Sequence, residues 1–310
     1  MSDYHTPVML NEVLENLEVK PGSWYVDCNL GGGGHTEGIL KKGGKVIGMD
    51  LDPEALAEVA KNHNLTLDLG ADPILAHSDD LILIHGNFAN LSELIPEIAS
   101  SPSPFRNDIK VMGILYDLGV SSYQLETPER GFSFNQDAPL DMRMDTSKQT
   151  ATAADLINGL HEKELAELFW KLGEESRAKK IAQKIVQSRK LKPITTTTLL
   201  VKIVESVKPR EGKLHPATKV FQALRIAVND ELNSLRESLP QALEALAPGG
   251  RLVIISFHSL EDRIVKEFLK LEVGSGKGKT ITKKPLEPNE EEVLENPKAR
   301  SAKLRVLEKL

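Results

Sequence analysis

Four consecutive glycines, Gly31 to Gly34, follow the apolar run Trp24-Tyr25-Val26-Asp27 and lead through His35-Thr36 into a helix-like stretch. A strand ending in an acid, then glycines, then a helix lets backbone approach a bound molecule closely, because no Cβ stands in the way. The next apolar run, Lys45-Val46-Ile47-Gly48-Met49, delivers Asp50 nineteen residues after Gly31. An acid at the tip of the second strand of a doubly wound sheet typically hydrogen-bonds ribose hydroxyls, so the spacing predicts a ligand carrying a nucleoside. A tight structural turn would use the glycines equally well; Asp50 in register is what favours a ligand loop.

The choice of nucleoside rests on what the loop lacks. Gly31 and Gly33 begin a G-x-G, but Thr36 takes the third glycine position of G-x-G-x-x-G, and starting from Gly32 and Gly34 puts Glu37 there. No Lys or Arg lies between Asp27 and Leu40, and no Gly-Lys-Ser/Thr completes a phosphate loop. A pyrophosphate would meet only backbone dipoles, whereas S-adenosylmethionine, with its sulfonium and zwitterionic amino acid, needs no cationic cradle. The loop favours the methyl donor over a nicotinamide dinucleotide.

Apolar runs at 24–28, 45–50, 81–85, 111–117 and 251–257 alternate with helical patterns after Thr36, Pro53 and Asn90. Strands separated by helices predict an α/β fold with a doubly wound, mostly parallel, Rossmann-like sheet that binds ligands at its carboxyl edge. The glycine loop, Asp50, Phe88, Asp117 and His258 all fall just past strand ends. A first helix is expected from a Thr6 cap and Pro7 to Leu17. Residues 64–80 show no clear period, and 99–108 read as a turn-rich loop. After Asp117 only helical patterns follow, at about 152–172, 174–190 and 196–207, then one long helix from about 216 to 247. The expected organisation is a sheet domain in two parts, 1–124 and 216–310, with an all-helical domain inserted at 125–215. Ala302 to Glu308 alternates like a last strand, and 277–297 is expected to be mobile or loosely packed.

Net charge is −6, which argues against a polyanionic partner. The average conceals residues 171–225, where fourteen Lys or Arg face four Glu, a net of +10. That segment suits a nucleic acid or is simply a solvated helical face. The lone cysteine, Cys28, excludes an internal disulfide and any multi-cysteine metal site, and the eight histidines lack ligand spacing, so no metal is expected. With no leader-like segment or membrane-length apolar run, the chain reads as a cytoplasmic protein with no membrane partner.

Phe88, in Gly86-Asn87-Phe88, stands where an adenine would lie, or is a core aromatic. Asp117 ends the fourth strand, from which such sheets reach substrate. A carboxylate there can accept the N–H bonds of an exocyclic amine and take its surplus proton, cap the following turn, or touch the donor. His258 precedes a capping pattern bracketed by Ser259 and Asp262; it contacts the target base or orients a loop, and His35 carries the same ambiguity. Glu129-Arg130-Gly131-Phe132-Ser133-Phe134 and Pro139 to Asp145, which includes Arg143, mix guanidinium groups with aromatics as single-stranded RNA sites do, or as a small satellite core would.

Together these motifs resemble the ribosomal RNA small subunit methyltransferase H family, the bacterial cytosine-N4 methyltransferases. The blocks are His5 to Leu10, Asp27 to Thr36, Asp117 to Ser122, Glu129 to Phe134, Pro139 to Asp145, Thr218 to Asn229, Pro248 to Arg263 and Asn296 to Arg305, spanning essentially the whole chain. The resemblance implies methyl transfer from S-adenosylmethionine to the exocyclic N4 of a cytidine in the decoding region of small-subunit ribosomal RNA, within the assembled or nearly assembled subunit. It implies donor contacts at Gly33, Gly34, His35, Asp50, Phe88, Asp117 and Gln124, and makes Asp117 and His258 the candidate catalytic groups. The inserted helical domain would help recognise RNA, with Arg130, Arg143, Lys179, Lys180 and Arg225 as candidate contacts. Asn29 stands where the family often has Thr, and Arg177 lies one residue later than the family's usual arginine. The Pro-Pro-aromatic signature of many other amino-group methyltransferases is missing, so Asp117 is only a loose analogue of their acid. The alternative function is an RNA-binding assembly factor with a non-catalytic methyltransferase fold.

Overall fold

The computed structural model describes residues 7–68, 73–100, 110–210, 212 and 214–310. The expected Thr6 cap and residues 101–108 of the expected turn-rich loop lie outside them. The chain divides into two compact units, Met1–Gly119 with Leu232–Leu310, and Val120–Glu231.

The first unit opens with α1 (Leu10–Leu17), β1 (Trp24–Asp27), α2 (Gly34–Lys41), β2 (Lys45–Asp50), α3 (Pro53–Asn62), β3 (Ile74–His77), β4 (Leu81–His85), α4 (Leu91–Ser100) and β5 (Val111–Asp117). Every residue of β1 and β4 is buried, as expected for inner strands covered on both faces. At α3, Asp52 accepts the Glu54 N–H at 3.1 Å and Pro53 takes the first turn, where its missing N–H costs nothing.

The second unit holds α5 (Ser122–Glu126), α6 (Ala153–Gly159), α7 (Glu162–Gly173), α8 (Ala178–Arg189), α9 (Thr197–Val207) and α10 (Thr218–Asn229). Its own apolar core joins Phe132, Leu140 and Met142 to Phe169, Ile181, Leu200 and Phe221. The helical unit runs to Glu231 rather than ending at 215, because α10 packs on α7 so closely that a Cβ on Gly173 would meet the Lys219 carbonyl oxygen.

The first unit then resumes with α11 (Glu231–Ala245), β6 (Leu246–Ser256), α12 (Ser259–Gly274), β7 (Gly278–Thr280), α13 (Glu290–Glu295) and β8 (Lys303–Lys309). The long helix expected over 216–247 is two helices. Asp230 adopts a left-handed φ of 50°, and the buried Asn229 side chain donates to the Met142 carbonyl at 2.8 Å while accepting the Met144 N–H at 2.8 Å. Those bonds tie the end of α10 to a distant loop and break the helix there.

The eight described strands form one sheet in the order β3-β4-β2-β1-β5-β6-β8-β7. The central pairs β4-β2, β2-β1, β1-β5 and β5-β6 are parallel, while β3, β8 and β7 pair antiparallel at the edges. The α/β expectation is met. β3 lies in the stretch that shows no period, and 277–297 contains β7 and α13, with Thr282 buried and its hydroxyl accepting the Val306 N–H at 3.0 Å. No helix among the described residues is long and apolar enough to cross a membrane.

Candidate cofactor and active site

The sheet reverses its winding between β1 and β5: from β1 it runs to β2 and β4 on one side, and to β5 and β6 on the other. Ligands of doubly wound sheets bind in the crevice outside the carboxyl ends at such a switch point. The glycine loop follows β1 there and Asp117 ends β5, so the two strongest sequence signals meet at one place in the fold.

The loop is a built structure. Gly31 and Gly33 take left-handed φ values of 49° and 77°, and a Cβ on Gly33 would lie 2.9 Å from Val59 Cγ2. The Gly33 N–H donates to the Leu30 carbonyl at 2.8 Å, and the Leu30 N–H to the Met49 carbonyl at 2.9 Å. Asp50 closes the arrangement: Oδ2 accepts the Gly31 N–H at 2.8 Å and Oδ1 accepts the Asp52 N–H at 2.9 Å. The expected ribose acid therefore also clamps the glycine loop to the tip of β2, leaving its second lone pairs for a hydroxyl.

Asp27 is buried, and its Oδ2 accepts the Thr36 hydroxyl at 2.8 Å. Burial pushes its carboxyl up to about 6, against the lowering bonds from Thr36 and Asn29. Asp50 rises to about 7, again through burial, with its two N–H bonds pulling the other way. Asp117 is driven well above the usual carboxylate range by burial first, then by the charges of Asp27 and Glu261. His35, 4% exposed, has Nε2 at 3.0 Å from the Val8 carbonyl oxygen and Nδ1 at 3.6 Å from Asp117 Oδ2. Asp117 Oδ1 and Asn29 Oδ1 are buried with no hydrogen-bond partner among the described residues. A buried acceptor left unpaired costs about 1–3 kcal/mol, so such atoms mark a place where something else binds.

Phe88 stands in a short 3-10 turn after β4, capped by Asn87, and meets Tyr116 edge-on with ring centroids 5.5 Å apart. It is half-buried. His258, not Ser259, is the cap of α12. Its Nδ1 accepts the Glu261 N–H at 3.4 Å, while Glu261 Oε2 accepts the N–H groups of Phe257 and His258 at 2.8 and 3.2 Å. The capping frame starts one residue earlier than the Ser259–Asp262 expectation because Asp262 is bonded instead to Arg305, at 2.7 Å. Glu261, 2% exposed and 3.1 Å from His258 Nε2, is a site residue that sequence reasoning misses; an acid three residues after a histidine at a strand end is the signal that points to it.

In the helical unit, Gln124 is buried and closes a capping box, its Oε1 accepting the Ser121 N–H at 3.1 Å. Three of the candidate RNA contacts serve the unit's own frame. Arg130 is buried and donates to the carbonyls of Arg143 and Met144 at 3.1 and 2.8 Å. Arg143 grips Asp141 bidentately at 2.7 and 2.8 Å, and Arg225 does the same to Glu231 at 2.8 and 2.7 Å. Arg177 donates to the Val207 carbonyl at 2.7 Å. Lys179 and Lys180, in the first turn of α8, are exposed.

The model of the MraW methylase family matches residues 2–310. Ribosomal RNA small subunit methyltransferase H of Carboxydothermus hydrogenoformans is 45% identical over 324 residues, covering 99% of this chain and 98% of its own. The protein of the same name from Nostoc punctiforme is 49% identical over 310 residues, covering 99% and 94%. With a family match from end to end and relatives this similar over almost their full lengths, the chain belongs to the MraW methylase family.

Proposed function

We propose that this chain, acting in the cytoplasm, transfers a methyl group from S-adenosylmethionine to the exocyclic N4 of a cytidine in the decoding region of small-subunit ribosomal RNA. The substrate is the assembled or nearly assembled small subunit. The observation that carries the reading is the buried, unpartnered Oδ1 of Asp117 at the switch point of a sheet whose glycine loop has no cation. The names of the similar proteins, small-subunit ribosomal RNA methyltransferases, support the substrate class. The family resemblance supports the cytosine-N4 target.

The residues fit this cofactor. Asp27, Asp50 and Asp117 end three strands of the same edge, and no Lys or Arg lies on the loop between Asp27 and Leu40. Such a setting attracts a sulfonium and an ammonium and repels a pyrophosphate, which counts against a nicotinamide dinucleotide. Gly33 and Gly34 would offer backbone to the donor, Asp50 its free lone pairs to the ribose, and Phe88 a ring face to the adenine. Bound there, the donor supplies an electrophilic methyl group. Asp117 accepts an N–H bond of the cytosine amine at Oδ1, turning the nitrogen lone pair out of conjugation, and takes the surplus proton at that atom. His258 holds the start of α12. Lys179 and Lys180 are the cations offered to RNA phosphates.

The test is mass mapping of ribosomal RNA fragments from cells with and without this protein, beside titration of the pure chain with S-adenosylhomocysteine and with NAD. A cytidine that loses its methyl group in the deletion strain, and binding of the first ligand alone, is the expected result. Unchanged cytidine methylation removes the substrate assignment, and preferential NAD binding removes the cofactor.

A further inference from the structure

We propose that His35 is a positioning residue for Asp117: anchored through Nε2–H on the Val8 carbonyl, its Nδ1–H holds Asp117 Oδ2 in the ionised form and leaves Oδ1 to face the reacting amine. The inference rests on the reading of Asp117 given above and adds to it the partner that keeps the carboxylate usable.

Nε2 of His35 lies 3.0 Å from a carbonyl oxygen, which only accepts, so Nε2 carries a proton. If the ring is neutral, Nδ1 then holds a lone pair. That lone pair would face Asp117 Oδ2 across 3.6 Å, and His35 is only 4% exposed. Two facing lone pairs repel, so a proton lies between Nδ1 and Oδ2, and the pair holds one proton more than a neutral histidine beside a carboxylate.

The surroundings make that proton necessary. Asp27 at the end of β1 and Glu261 on α12 are the charged groups that bear on Asp117 besides His35, and both are acids. They and burial drive Asp117 toward its neutral form, in which it is a poor acceptor for a substrate proton. Among the described residues His35 is the one group beside Asp117 able to carry positive charge. Its placement is built in: it sits in the first turn of α2, directly after Gly33 and Gly34, so the bend of the glycine loop aims the imidazole at the end of β5. The 3.6 Å gap is long for a hydrogen bond, as pairs of this kind are before substrate closes on them.

The test uses the full chain labelled with nitrogen-15 in histidine and carbon-13 in the aspartate carboxyl. NMR titration of the free protein should show Nε2 of His35 protonated throughout, while Nδ1 and the Asp117 carboxyl respond in the same coupled steps. Asp117→Asn should lower the imidazole midpoint by about one pH unit or more. In His35→Gln the amide N–H can still reach the Val8 carbonyl, but nothing protonates toward Asp117. Its kcat on small subunits lacking the methyl group, at saturating donor, should fall about 100-fold, and the acid limb of the pH–kcat profile should move to higher pH. Independent titration of the two groups overturns the proposal, as does His35→Gln with kcat within about threefold and an unmoved acid limb. If the unaltered chain methylates nothing, the functional reading fails, whereas the titration still decides whether the pair exists.

Discussion

Asp27 and Asp50 hold protons in the folded chain that they release when it unfolds. Their carboxyls sit at about 6 and about 7, against an unfolded value of about 3.9. Between about pH 4 and 7 the folded state therefore binds more protons than the unfolded one, and stability falls as pH rises. A carboxyl held one pH unit above its unfolded value corresponds to about 1.4 kcal/mol, so at neutral pH the ionised Asp27 costs the ligand-free fold about 3 kcal/mol. Asp141 and Glu175 act in the opposite sense: paired with Arg143 and Lys208, their lowered carboxyls contribute stability above about pH 4 that is lost on acidification. The ligand-free chain is thus expected to melt at its highest temperature near pH 4 to 5 and to lose stability toward pH 7. Calorimetry across that range checks it, and Asp27→Asn, which still accepts the Thr36 hydroxyl, should flatten the decline. An equal slope in the variant would remove Asp27 as its source. At the same scale, Asp117→Asn keeps the shape of the site but cannot take a proton. Single-turnover methylation should slow about 100-fold or more, with S-adenosylhomocysteine affinity changed by less than about tenfold.

The glycine loop is the element on which the site depends, and its geometry demands glycine at one position above all. Gly33 combines a φ of 77° with a Cβ direction only 2.9 Å from Val59 Cγ2. Gly33→Ala should cost about 1–2 kcal/mol for the left-handed backbone alone. The loop should shift away from α3, with at least about a tenfold loss of S-adenosylhomocysteine affinity by isothermal titration. Retained affinity would mean that the loop does not touch the donor. The elements legible in the sequence are those whose burial produces a periodic signal: β1, β2, β4 and β5 are inner strands and read as continuous apolar runs. β3 and β7 are not legible, because four- and three-residue edge strands carry too few side chains to show a period. The break at Asp230 depends on a distant partner, the Met142 carbonyl, which no local pattern discloses. The switch point has the same character. Each strand end can be read singly, but that β1 and β5 are neighbours is a property of sheet order.

Across the whole molecule, charge is distributed by unit rather than evenly: a chain of net charge −6 carries +10 within residues 171–225. Counting cations overstates what is offered to a polyanion, since Arg225 is held bidentately by Glu231, Arg177 donates to the Val207 carbonyl, and Arg189 donates to the Ile157 and Leu160 carbonyls. The two classes of cation should separate by experiment. Arg225→Ala leaves Glu231 without its partner and should lower the melting temperature. Lys179→Ala with Lys180→Ala removes only exposed ammonium groups and should leave it unchanged. If those lysines meet RNA phosphates, each contact adds about 0.7–0.9 to the slope of log affinity against log salt. The double variant should then bind small subunits several-fold more weakly at about 0.1 M salt and lower that slope by about 1.5, with S-adenosylhomocysteine binding unaltered. A slope that does not move would take this end of α8 out of the RNA interface and leave the rest of the basic segment as a solvated helical face.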